Sequence, residues 1–270
     1  MVTSGYAPAD GTSLYFEVAG DGSPVVLLHP GQGGSVLWDR QFRSFAREHQ
    51  VIRFDARGFG RSERPNAPFS PYEDLRAVLD ALGVARAALV GLSYGGLTAI
   101  DFAIAYPSRV SRLVLVNAGL SGYQYAHLAD YFARLRAASE GEDQDAWIEV
   151  QLEMWFDGPT RTSGQVDRAA RDEVRRILSE QVTRNRARGH SPQQQDLGAV
   201  ERLSEIRAPT LVVESALDVP DIHAIALLLE GRIADATRVV IENAAHLVNV
   251  ERPDEFAAAV LPFLRERTRA

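Results

Sequence analysis

Two rhythms of apolar residues alternate along the chain. Leu14-Tyr15-Phe16-Glu17-Val18 alternates with period two, as a strand near a sheet edge does, and Gly20-Asp21-Gly22 supplies a turn behind it. Residues 25–28 and 51–54 are short, nearly continuous apolar runs, the pattern of strands buried on both faces. Between them Trp38, Phe42, Phe45 and Ala46 fall at helical spacing, and Leu75, Val78, Leu79 and Leu82 mark a second helix closed by Gly83. A strand over 87–90, a helix running to about Tyr106 and stopped by Pro107, and a strand over 110–116 continue the alternation. Strands separated by helices predict an α/β fold, a mainly parallel sheet covered on both faces.

From residue 119 to about 195 the rhythm changes to helix throughout. Val166, Ala170, Val174, Ile177 and Leu178 lie on one helical stripe, with Arg168, Arg171, Arg175 and Arg176 largely off it. This stretch reads as a helical insertion. Afterwards strands over 210–214 and 237–241 and helices over 222–229 and 253–265 restore the first pattern, and Pro253 suits a first helical turn. The expected division is therefore residues 1–118 as the first part of the core, 119–195 as the insertion and 196–270 as the second part of the core.

Composition narrows the function without naming it. A chain of 270 residues, 46% hydrophobic and 24% charged, can bury a substantial globular core. A net charge of −7 disfavours a nucleic-acid backbone as partner. The most apolar region, roughly 87–106, is interrupted by Ser93, Tyr94, Asp101 and glycines, so no membrane span is expected. No secretory leader is recognisable, and a cytoplasmic location is the expectation. The chain has no cysteine, which excludes disulfides, thiolate metal sites and a thiol nucleophile. Every basic side chain is arginine, so no mechanism can use a lysine.

The chemistry is carried by Gly91-Leu92-Ser93-Tyr94-Gly95, a serine between glycines at a strand-to-helix junction. That layout is a nucleophile elbow: the turn is so sharp that strand and helix backbones pass close together, where glycine fits. A serine needs a base, and His246 follows the last strand in a loop on the edge where all parallel strands end. The acid that orients it should follow the preceding strand, which selects Asp218, with Asp221 and Glu214 as rivals; residue 117, after the strand over 110–116, is asparagine and is discounted. The oxyanion formed by attack needs N–H donors, expected from the backbone of Tyr94 and of Gly31, with Gln32 as the alternative, since Pro30 has none. His29, Asp55 and Arg57 are read as braces of their loops.

Together these stretches resemble the α/β-hydrolase superfamily, in the group with a helical cap inserted after the sixth strand of an eight-stranded sheet. The resemblance rests on His29-Pro30-Gly31-Gln32-Gly33 with Trp38, Asp55-Ala56-Arg57-Gly58-Phe59-Gly60-Arg61-Ser62, the elbow, Leu217-Asp218, and Ala245-His246 followed by Glu251-Arg252-Pro253. It covers nearly the whole chain outside the insertion. It implies a Ser93–Asp218–His246 triad and departs from the family pattern at Pro30, where glycine is usual.

Within the superfamily, serine at the elbow disfavours the dehalogenase and epoxide-hydrolase branches, and the missing lysine and cysteine remove the cyanohydrin-cleaving and thiol-dependent ones. Ester or lactone hydrolysis is the leading expectation, with carbon–carbon bond hydrolysis, cofactor-free perhydrolysis and a non-turnover binding protein as alternatives. A small-molecule substrate is expected, with no cofactor, no metal and no nucleic acid; a homodimer is left open. Gln32, Trp38, Tyr123, Trp147 and Trp155 are the residues expected to touch substrate, although the aromatic residues of the insertion equally suit its own core. Residues 161–188 hold eight arginines against four acidic residues, read first as a solvated face and second as an attraction for a carboxylate-bearing substrate.

Overall fold

The structure, a computed structural model, describes residues 1–64, 67–186 and 194–265. The chain opens on β1 (Val2–Ala9) and β2 (Thr12–Ala19), then β3 (Pro24–Leu28), α1 (Asp39–Phe45), β4 (Gln50–Phe54), α2 (Pro71–Ala81), β5 (Ala87–Leu92), α3 (Tyr94–Ala105) and β6 (Val110–Val116). The insertion contributes α4 (Ala129–Glu140), α5 (Gln144–Leu152), a π-helical turn (Glu153–Asp157) and α6 (Arg168–Arg186). It is followed by β7 (Thr210–Ser215), α7 (Pro220–Arg232), β8 (Ala236–Ile241), the single turn α8 (Val248–Glu251) and α9 (Pro253–Arg265).

Eight strands form one sheet in the order β1-β2-β4-β3-β5-β6-β7-β8. β2 runs antiparallel to both its neighbours and all other pairings are parallel. β1 has no counterpart in the hydrophobic pattern: its exposed, polar composition, with Ala7 its one buried residue, carries no periodic signal, and pairing with β2 is what makes it a strand.

Alternation along the central strands sorts the core into two layers. Val26, Leu28, Leu113 and Leu115 point to the face covered by α2, α3 and α7, where Leu75, Phe102 and Ile225 are fully buried. Val25, Leu27, Val114 and Val116 point to the other face, covered by Phe42 and Phe45 of α1 and by Phe256 and Val260 of α9. Parallel pairing from β4 to β8 brings every strand end that matters, at residues 28, 54, 92, 116, 215 and 241, to one edge.

The inserted helices lie over that edge. A Cβ on Gly33, in the loop after β3, would stand 2.2 Å from Ile177 of α6, so the helix rests directly on the loop. Gln181 of the same helix donates to the Gly58 carbonyl at 2.8 Å. Both ends of the insertion are tied to α3. Asp101, buried, accepts from Ser121 Oγ at 2.7 Å and from the Leu197 N–H at 3.2 Å, while Ser121 Oγ accepts from the Ala199 N–H.

Among the described arginines of α6, Arg168, Arg176 and Arg184 are exposed, as expected of a solvated face, and Arg171 departs from it. Arg171 turns inward and grips buried Asp157 with two hydrogen bonds, at 2.9 and 2.8 Å. Arg175 pairs with Glu149, Arg176 and Arg184 with Glu180, and Arg168 with Asp172.

Candidate active site

Ser93 sits between β5 and α3 with φ 54° and ψ −112°, a backbone conformation costly for any side chain but glycine. Its flanking glycines explain how the turn is held. A Cβ at Gly91 would lie 2.3 Å from the Gly95 carbonyl oxygen, and one at Gly95 would lie 2.1 Å from the carbonyl oxygen of Leu28, at the end of β3. Helix α3 thus starts in van der Waals contact with the neighbouring strand. Ser93 donates its N–H to Val116 at 3.0 Å, and its carbonyl accepts from Leu97 and Gly119.

The loop after β8 carries His246. Its Nδ1 lies 2.7 Å from Asp218 Oδ2, and both side chains are fully buried. Asp218 comes from the β7–α7 loop, and its second oxygen accepts from the Val219 N–H at 2.7 Å. Of the rival acids, Glu214 pairs with Arg238 and His223. Asp221 is the N-terminal latch of α7 to the insertion rather than a cap of its own helix: its two oxygens accept the Ala126 and His127 N–H groups. These bonds hold its carboxyl below the usual range against the opposing effect of burial, which is the largest single influence.

With Nδ1–H directed at Asp218, Nε2 is the imidazole's free lone pair. It is buried and has no hydrogen-bond partner, so the bond from the Ser93 hydroxyl is not formed in this structure. Such bonds are commonly long in unliganded sites and tighten when substrate is bound. The two residues are nevertheless linked through β6. Ser93 bonds Val116, and the next residue, Asn117, donates from Nδ2 to the His246 carbonyl at 2.8 Å and to Ser215 Oγ at 2.7 Å, while its Oδ1 accepts from the Ser215 N–H. Asn117 is not an acid and cannot orient the base as a carboxylate does. It is instead the brace that joins three strand ends, and the signal for it was its place on the same edge.

Opposite the elbow, the loop after β3 is set by His29. The Ala56 N–H donates to His29 Nε2 at 2.9 Å, so Nδ1 carries the proton and donates to the Pro30 carbonyl at 2.7 Å. Burial lowers the His29 pKa below its ordinary value, in keeping with a neutral ring. Gly31 follows, with its side-chain direction open as far as Tyr94 Cβ at 4.0 Å. The loop thereby faces Tyr94 across the site. Gln32 is buried, and its Oε1 has no partner. Asp55 braces the same region, accepting from the Ser35 N–H and Oγ and from the Arg61 N–H, and Arg57 makes a bidentate pair with buried Asp74.

The expected substrate-contacting aromatics separate. Trp155, on the π-helical turn, lies with its ring centroid 4.3 Å from that of His246. Tyr123 is half-buried and meets Tyr125 edge-on at 5.2 Å. Trp147, on α5, is half-buried and packs against the second core layer. Trp38 is fully buried in that core, 5.7 Å from Phe256, where it fills the layer beneath α1. No group of three His, Asp or Glu among the described residues is gathered to hold a metal ion. No helix among them is long and apolar enough to cross a membrane.

A family model described as the alpha/beta hydrolase fold matches residues 23–253. The chain is 30% identical to "Putative carbamate hydrolase RutD" of Azorhizobium caulinodans, over 97% of this chain and 98% of that one. It is 32% identical to the 2-hydroxy-6-oxononadienedioate/2-hydroxy-6-oxononatrienedioate hydrolase of Burkholderia vietnamiensis, covering 95% and 93%. Among solved structures it is similar to Est816, an N-acyl homoserine lactone degrading enzyme, with TM-score 0.77 and 29% identity over 96% of this chain and all of the other.

Proposed function

The chain belongs to the α/β-hydrolase family and is a hydrolase, and on that premise we propose that it cleaves a small to medium, uncharged ester or lactone with Ser93 as nucleophile, His246 as base and Asp218 as its orienting acid. One observation carries this reading: a fully buried His246–Asp218 pair whose remaining ring nitrogen has no partner, on the same strand-end edge as a serine in a strained elbow. A buried lone pair without a donor is costly in a merely structural histidine, and it is what a base needs.

In the proposed cycle His246 Nε2 takes the Ser93 proton as Oγ bonds to the acyl carbon. The carbonyl electrons move to oxygen, where the N–H groups of Tyr94 and Gly31 receive the charge. Collapse of this intermediate breaks the bond to the leaving oxygen, which takes the proton from His246, and water then repeats the sequence on the acyl-enzyme. Asp218 keeps Nδ1 protonated and stabilises the imidazolium as it forms.

Residues 119–195 act as the cap that selects substrate in this reading. A carboxylate-bearing substrate, such as the one in the name of the Burkholderia relative, would need a cation. The six arginines from 161 to 184 are each within 4.0 Å of a carboxylate, which supports an uncharged acyl group at that part of the described insertion. Turnover of short p-nitrophenyl esters by wild type and Ser93→Ala tests the proposal. Loss of about a thousandfold or more is expected, and equal rates would refute it.

A further inference from the structure

The insertion does more than cover the strand ends. At Glu153–Asp157 its helix widens into a π-helical turn, a form that is rare and concentrated at functional sites. That turn brings the Trp155 ring to 4.3 Å from the His246 ring, centroid to centroid, with the planes inclined by 43°. The chain then docks. Gly158, at φ 78°, approaches so closely that a Cβ there would stand 2.5 Å from the Leu217 carbonyl oxygen and 3.0 Å from Ala245 Cβ. These are the residues immediately before Asp218 and His246. Three residues on, Arg161 pairs with Glu251 at 2.8 Å, both well buried, and the other Glu251 oxygen accepts from the Ala245 N–H.

Met154 and Phe156 of this segment join the two hydrophobic layers, while Trp155, Gly158 and Arg161 converge on the two loops that hold the base and its acid. We propose that Trp155 is a positioning residue for His246: its indole fixes the imidazole plane and, as the buried ring becomes imidazolium in the transition state, its π system stabilises that charge. The inference rests on the reading of His246 as the base. It assigns Trp155 a part in the proton transfer itself, beyond that of a pocket wall for substrate. A cation over an indole in a desolvated site is worth a rate factor of roughly 5 to 30.

The test compares Trp155→Leu, Trp155→Phe and Ile148→Ala on p-nitrophenyl acetate, butyrate and hexanoate, with Ser93→Ala alongside and thermal melting to monitor folding. Ile148, buried on α5, serves as the control for damage to the insertion's packing. Trp155→Leu should lower kcat about 5- to 30-fold on all three esters with KM little changed, and Trp155→Phe should restore most of it. Ile148→Ala should leave kcat near wild type. A Trp155→Leu protein with wild-type kcat and a KM that shifts with acyl length would overturn the proposal, as would a Phe variant as impaired as the Leu variant. If Trp155→Leu does not fold, the Phe variant, a smaller ring on the same backbone, decides: kcat must fall less than about fivefold. A dead Ser93→Ala beside an unaffected Trp155→Leu sinks only this inference, whereas an active Ser93→Ala sinks the reading beneath it.

Discussion

His246 Nδ1 and Asp218 Oδ2 are 2.7 Å apart with both side chains fully buried, and the other Asp218 oxygen is already engaged by the Val219 N–H. That second bond decides what an amide would do in place of the acid.

In Asp218→Asn the amide oxygen takes the Val219 donor, which leaves the NH2 facing His246. The imidazole must then present its lone pair at Nδ1 and its proton at Nε2, the wrong tautomer for a base. We expect kcat to fall about 10⁴-fold without loss of folding. Asp221→Asn, which alters only the latch to Ala126 and His127, should keep most of the activity. Steady-state kinetics of the two variants check this, and swapped outcomes would reassign the acid.

Gly95→Ala places a methyl group 2.1 Å from the Leu28 carbonyl oxygen, a backbone atom that cannot move aside cheaply. The expected cost is about 3 kcal/mol together with loss of activity, as α3 withdraws from β3. Gly31→Ala meets nothing nearer than 4.0 Å and should fold as wild type. Urea unfolding of both variants measures the contrast.

Asn117→Ala removes the partners of the Ser215 N–H and the His246 carbonyl, both at buried residues. At about 1–3 kcal/mol for each orphaned group, a loss of roughly 3 kcal/mol is expected, with kcat reduced because the His246 loop is released. Chemical denaturation and kinetics on one preparation read both effects.

Burial pushes the Asp101 carboxyl up to about 6, from an ordinary value of 3.8, against the bonds from Ser121 and Leu197; nearby Asp196 adds to the rise and Arg202 opposes it. Between these values the folded protein holds a proton that the unfolded chain has released. The stability this group contributes is therefore full below about pH 4 and is lost as pH rises through about 6. Asp101→Asn cannot titrate. The difference in unfolding free energy, wild type minus variant, should fall by on the order of 2 kcal/mol between about pH 4 and pH 7. A constant difference would contradict this.

Much of this arrangement was legible in the sequence because it depends on pattern. Buried strands such as Val25 to Leu28 announce themselves as apolar runs, and Ser93, Asp218 and His246 each stand just past one of them. What was not legible depends on pairing across distance. β1 is polar and owes its existence to β2. Asn117 looks like a failed acid until its three partners from β7 and the His246 loop are seen. Trp38 and Trp155 are alike as letters, yet one fills the core against Phe256 and the other meets His246. Arg171 likewise reads as a surface residue in the sequence, because helical spacing does not reveal that Asp157 waits beneath it.

The central claim, that Ser93 attacks with His246 as its base, is tested most directly by peptide-mapped mass spectrometry after brief treatment with a fluorophosphonate. The account predicts a single adduct, on Ser93, with labelling slowed at least a hundredfold in His246→Ala, an order-of-magnitude figure set by the usual gain from general-base catalysis, roughly 10²–10⁴. Labelling elsewhere, or equally fast labelling of Ser93 without the imidazole, would contradict it.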